Sequence, residues 1–155
     1  MAALNADPLV MRYFPSTYDR DHTAKFIERN IAMLADYGYC YFAVDQLEDQ
    51  EFIGFIGLAY QDYEASFTPC TDIGWRLAHQ YWGRGYATEG AKACLDYART
   101  KIPNQEVVAV ATSSNILSIR VMQKIGMQYD HTFTHSQLLD YPNLKECVLY
   151  RNIHT

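Results

Sequence analysis

Gln80-Tyr81-Trp82-Gly83-Arg84-Gly85-Tyr86-Ala87-Thr88-Glu89-Gly90 sits between a strand pattern and a helix pattern, and its meaning comes from that placement. Upstream, Asp72 to Ala78 reads as a strand. Downstream, Ala87, Ala91, Cys94, Leu95 and Ala98 recur on one helical face, with Lys92, Asp96 and Arg99 on the other side. Gly83 and Gly85 allow a tight turn and a close backbone approach to a ligand. The helix start near Ala87 adds free N–H groups and the positive end of a dipole. The combination is a cradle for phosphate or pyrophosphate, to which Arg84 can add charge.

Three phosphate-binding families use such a loop. A nucleoside triphosphatase needs Gly-Lys-Ser/Thr to close it, and here Gly85 is followed by Tyr86-Ala87, which excludes that family. A dinucleotide fold needs a third glycine where Thr88 stands and an acidic residue closing the next strand, so it too fits poorly.

Working outward, Asp21 to Ala35 predicts a helix with Phe26, Ile27, Ile31 and Leu34 on its apolar face and Asp19 or Asp21 as N-cap. Tyr39 to Val44 and Phe52 to Tyr60 predict a hairpin around the polar run Gln46 to Glu51, with Asp72 to Ala78 as a third strand of a meander. Val107 to Ala111 is an apolar run suited to a buried strand parallel to its neighbour. A second helix is capped by Asn115, has Leu117, Val121 and Ile125 on one face, and ends at Gly126. Strands near Gln128 to His135 and Cys147 to Asn152 complete a mixed sheet. The fold class is α/β, a mixed α+β architecture with a mostly antiparallel sheet flanked by helices.

Bulk properties set the frame. The 155 residues are read as one domain, 1–155, without repeats or linkers. Apolar residues make up 49% and charged ones 20%, with no run long enough to span a bilayer, so no membrane partner is expected. The start, Met1 to Asp7, lacks the marks of a secretory signal, which places the chain in the cytoplasm. Cys40, Cys70, Cys94 and Cys147 have no paired spacing; they read as buried thiols, and no metal is implied. A net charge of −5 argues against nucleic acid as a partner and suits a cationic amine.

Gln80-Tyr81-Trp82-Gly83-Arg84-Gly85 resembles the third family, the GNAT acetyltransferases, through the pattern Gln/Arg-x-x-Gly-x-Gly/Ala. Its extension through Tyr86-Ala87-Thr88-Glu89 is similar to the subfamily that acetylates ribosomal-protein N-termini. Asn115 to Met127 resembles that subfamily's Asn-x-x-Ser helix, and Asn5 to Pro15 and Gly54 to Leu58 resemble its opening turn and first hairpin. The resemblance implies acetyl-coenzyme A as co-substrate and a primary amine as acceptor, a protein or peptide N-terminus or a small molecule. It implies that backbone groups of Arg76, Leu77 and Ala78 bind the pantetheine arm. The loop from Gln80 through Trp82, Gly83, Arg84, Gly85, Tyr86, Ala87 and Thr88 would take the pyrophosphate, and Asn115 would hold the coenzyme from the facing helix. A binding module that holds acyl-coenzyme A without turnover is the alternative.

Acetyl transfer needs a neutral amine, a polarised thioester carbonyl and a proton for the departing thiolate. Many superfamily members place a tyrosine seven residues after the helix-opening asparagine, where this chain has Met122. Ser118 is the resemblance's alternative proton donor. Asp72 matches the acidic residue of the subfamily's Glu/Asp-Ile-Gly-Trp/Tyr stretch and is the candidate base or amine-orienting group. His131 and His135 are further titratable groups. An α-amine, with a pKa near 8, demands little of a base.

The subfamily's first strand, ahead of Asn5-Ala6-Asp7-Pro8, is absent from this sequence. The next strand, Tyr39 to Val44, would then be an edge covered either by residues before Tyr18 or by a second copy in a homodimer.

Overall fold

The computed structural model describes residues 1–152. A six-stranded sheet has the order β1-β2-β3-β4-β6-β5, with β1 Tyr41–Asp45, β2 Phe52–Gln61, β3 Cys70–Leu77, β4 Val107–Thr112, β5 Gln128–Thr134 and β6 Glu146–Arg151. All neighbours are antiparallel except β3 and β4. The helices are α1 Ala2–Ala6, α2 Arg20–Tyr37, α3 Tyr86–Lys101 and α4 Ile116–Lys124. Every element anticipated above is present, with ends shifted by one or two residues. No helix among the described residues is long and apolar enough to cross a membrane.

The alternation of side chains on β3 divides the two sides of the sheet. Ile73 packs into the main core with Ala91 and Leu95 of α3, and Leu77 packs with Ile53, Ile56 and Tyr81. Asp72, Gly74 and Arg76 point the other way, toward Tyr41, α2 and the N-terminal segment. β2 is buried on both faces from Ile53 to Ala59, which is why it reads as a continuous apolar run.

The apolar face expected of α2 is corrected by the structure. Ile27, Ile31 and Leu34 are exposed, and the buried residues of α2 are Thr23 and Asn30. Hydrogen bonds set this rotation. Asn30 Oδ1 accepts the Tyr41 amide at 2.9 Å while its Nδ2 donates to the Phe26 carbonyl, and Thr23 Oγ1 accepts from Asn5 Nδ2 at 3.3 Å. Buried amides must be paired, and that requirement outweighs the apolar stripe here.

β1 pairs only with β2, and Phe42 and Ala43 are exposed. The residues before Tyr18 do not pair with it. They fold instead as α1 and a run of turns tied down through Asn5, which is fully buried.

Candidate active site

β3 and β4 pair at two positions only, Thr71 with Val107 and Asp72 with Val108, and then separate. Ile73 to Leu77, paired with β2 on one side, therefore present an unpaired strand edge on the side toward β4. Val110, Ala111 and Thr112 line the far side of the resulting wedge, and the wedge opens into a cavity of about 700 Å³. The parting of two parallel strands is a natural ligand site, because unpaired main-chain groups there need a partner.

At one end of the wedge stands the glycine loop. Gly83 and Gly85 have φ values of 74° and 92°, and a Cβ on either would meet nothing within 4 Å. Glycine is required at both for its conformation, not for space. Gly85 caps α3, and none of the amides from Gly83 to Thr88 donates to an acceptor among the described residues. These orphan donors, aligned with the α3 dipole, suit an anionic pyrophosphate. Trp82, Tyr86, Ala87 and Thr88 also line the cavity. Gln80 and Arg84 are exposed and lie outside its wall, Arg84 resting 5.5 Å over the Tyr81 ring.

The three residues at the end of β3 and just after it that were assigned to the pantetheine arm differ in what they have to offer. Leu77 lines the wedge, its carbonyl accepting from Trp82 Nε1 at 2.7 Å. Ala78 is already engaged, its amide donating to Ile53 and its carbonyl accepting from Tyr81, both at 2.9 Å. Arg76 sends its side chain to the opposite face, where Nη1 donates to Asn5 Oδ1 at 2.7 Å.

Across the wedge, Asn115 Oδ1 accepts the Ser118 amide at 3.2 Å, the cap read from the sequence. Ser118 is half-buried in the cavity wall, and its hydroxyl has no partner among the described residues. Met122 is 1% exposed and belongs to the core, so no acid stands at that position.

Asp72 lies at the apex, where the two strands part. Its Oδ2 accepts from the Tyr41 hydroxyl at 3.0 Å. Its Oδ1 is sealed from solvent and has no partner of hydrogen-bonding geometry. Burial pushes the carboxyl up to about 7, against the opposing influence of the Tyr41 hydroxyl bond and, less, of the nearby Val110 amide. Tyr41 itself is held well above its ordinary value by burial and by the adjacent carboxylate, so it is a permanent donor. His135 also lines the cavity, stacked on Tyr63 at 4.3 Å, with burial lowering its pKa. His131 sits outside the cavity wall, paired with Asp130 at 2.8 Å.

A family model described as acetyltransferase (GNAT) domain matches residues 1–128. The chain belongs to the GNAT acetyltransferases. The protein YkkB of Bacillus subtilis is 34% identical over 126 residues, 81% of this chain and 72% of YkkB. The solved acetyltransferase of Agrobacterium tumefaciens superposes with a TM-score of 0.77 at 25% identity, covering 99% of this chain and 82% of that one. Spermidine N-acetyltransferase from Vibrio cholerae, solved in complex with CoA and spermine, has the same fold with a TM-score of 0.72 at 14% identity, covering 97% and 86%.

In this GNAT chain the glycine loop and the Asn115 helix both line one cavity. Three side chains of the site were missed by sequence reasoning. Tyr41, one of the aromatics that could wall an acceptor cleft, had no link to Asp72, Arg76 was assigned through its backbone alone, and Asn5 was read only as part of a turn. Period-two alternation on β3 was the available signal for Arg76, since it puts Arg76 on the same face as Asp72.

Proposed function

We propose that this GNAT protein transfers an acetyl group from acetyl-coenzyme A to a primary α-amine of the kind a peptide N-terminus presents. The observation that carries the reading is the wedge itself, with orphan amides at one end and the Asp72 carboxylate at its apex. Acetyl-coenzyme A supplies the activated thioester. The Ile73 to Leu77 edge would hold the pantetheine arm by main-chain hydrogen bonds, and the amides from Gly83 to Thr88 would hold the pyrophosphate. Asp72, poised near 7, would take the proton from the attacking amine as the N–C bond forms. As the C–S bond breaks, the Ser118 hydroxyl would hand a proton to the departing sulfur. The similarity to the ribosomal-protein subfamily supports the α-amine. The buried Met122 favours the second reading, a module that binds acyl-coenzyme A without turnover.

A second copy of the chain, adding antiparallel to the β1 edge, is the proposed partner for that row of unpaired main-chain groups, since an edge is complementary to itself under a two-fold axis.

The deciding experiment for the activity measures thiol release from acetyl-coenzyme A against N-terminal peptides, polyamines and aminoglycosides. Release that depends on an amine supports the transferase. Tight coenzyme binding with no release for any amine would overturn it in favour of the binding module.

A further inference from the structure

Arg76 is 8% exposed, lines the cavity, and forms no ion pair among the described residues. Its side chain donates from Nη1 to Asn5 Oδ1 and lies against the Tyr18 hydroxyl, neither of them a charge, and its Nε is buried with no partner among the described residues. Aromatic rings surround the guanidinium, with Phe14 at 4.2 Å and Phe55 at 5.0 Å from Cζ and Tyr18 and Phe26 somewhat farther. Such faces offset part of the cost of burying a cation. They do not replace a counter-ion, and a guanidinium stays charged at any working pH.

A buried cation kept unpaired in a cavity wall is a receptor for an anion that arrives with the ligand. The coenzyme's phosphates are an unsuitable source. Their cradle is at the α3 terminus, whereas Arg76 points to the opposite face of the sheet, the face that carries Asp72. The two residues lie four apart on β3, on one face, with Gly74 between them; at 3.3 Å per residue their Cα atoms are about 13 Å apart. Residues 13–18 cover the Arg76 end, through Tyr13, Phe14, Pro15 and Tyr18.

We infer that the acceptor is an amine that also carries a carboxylate, the amine set against Asp72 and the carboxylate against Arg76. This rests on the transferase reading given above and names its substrate class. The span favours a carboxylate several bonds from the amine, in an acidic side chain near a peptide N-terminus or at the C-terminus of a very short peptide. A polyamine would leave Arg76 unpaired and bring further positive charge toward it.

The test compares matched acceptors on the full chain, reading kcat/KM. Peptides opening with glutamate or aspartate are set against their glutamine and asparagine counterparts, dipeptides against dipeptide amides, and free glutamate and spermidine are included. The acid member of at least one matched pair should be preferred about tenfold or more, since its amide partner leaves Arg76 unpaired. The pair that shows the preference identifies whether the carboxylate comes from a side chain or a C-terminus. In Arg76→Met that ratio should fall toward one, whatever happens to the absolute rates, and Arg76→Lys should retain part of it. A purely structural Arg76 would change stability and leave the ratio alone. Indifference of the wild-type chain to the carboxylate, or preference for spermidine, would overturn the inference by itself, whatever the variants do. No turnover with any amine would overturn the transferase reading along with it.

Discussion

The Tyr41 hydroxyl reaches Asp72 Oδ2 at 3.0 Å by lying across Gly74, where an added Cβ would stand 2.9 Å from both Cε1 and Oη of the ring. The missing side chain at Gly74 is thus what lets a residue of β1 govern a carboxylate on β3.

Gly74→Ala should push Tyr41 off Asp72. Overpacking of this kind costs about 1–3 kcal/mol. Turnover should fall while coenzyme affinity, measured by calorimetry, is retained. Equal turnover in variant and wild type would separate Tyr41 from the chemistry.

The pH dependence follows from Asp72. With its carboxyl near 7, kcat/KM should rise through a limb at that pH, below the limb of the α-amine near 8. Asp72→Asn should remove the lower limb. Tyr41→Phe should move it upward, because the lost hydroxyl stabilised the carboxylate. Stability should follow the same group. Below about pH 4 the carboxyl is protonated in folded and unfolded chains alike. Between there and about 7 the unfolded chain ionises first, which penalises the folded state. The Tm of Asp72→Asn relative to wild type should therefore climb across that window and level off above it.

Ser118→Ala should lower kcat roughly 10²-fold if the hydroxyl protonates the thiolate, with the coenzyme Kd little changed. The amide of residue 118 remains to bond Asn115 Oδ1, so the α4 cap survives and Tm should barely move.

Gly85→Ala forces a φ of 92° on a residue with a side chain, at a cost of roughly 1–2 kcal/mol. The loop should relax and its amides disperse. A coenzyme affinity loss larger than the Tm loss predicts is the expected signature, read from ligand titrations of the folded variant.

For the β1 edge, light scattering at micromolar concentration should give a dimer mass, and Phe42→Lys, placing a charge at an exposed edge position, should give a monomer. A monomeric wild type would remove the second copy from the proposal.

The loop and helix cap proposed to hold the coenzyme were legible in the sequence because they are built from conformation. Gly83, Gly85 and the start of α3 announce themselves through residue types that few other contexts need, and Asn115 declares a cap in the same way. The acceptor half was harder to read because it is assembled from β1, β3 and the N-terminal turns, which meet only in the folded chain. Nothing in the local pattern around Tyr41 distinguishes a ring that fills core from one that holds a carboxylate. The rotation of α2 was misread for a related reason, since the bonds from Asn30 to Tyr41 and from Asn5 to Thr23 are long-range and leave no periodic trace.

The early parting of β3 from β4 has a consequence for how such a protein can diversify. The edge from Ile73 to Leu77 offers a ligand only main-chain groups, and these are common to every residue except proline. Asp72 and Arg76 turn their side chains to the other face of the same strand, so a change at Arg76 leaves the main-chain edge that faces the wedge as it is. Under the proposed function, donor binding and acceptor choice are thus separable traits carried by one strand. A library randomised at Arg76 should yield variants with altered acceptors that still bind the donor, and the inheritance of one half while the other drifts would be visible within a single round of selection.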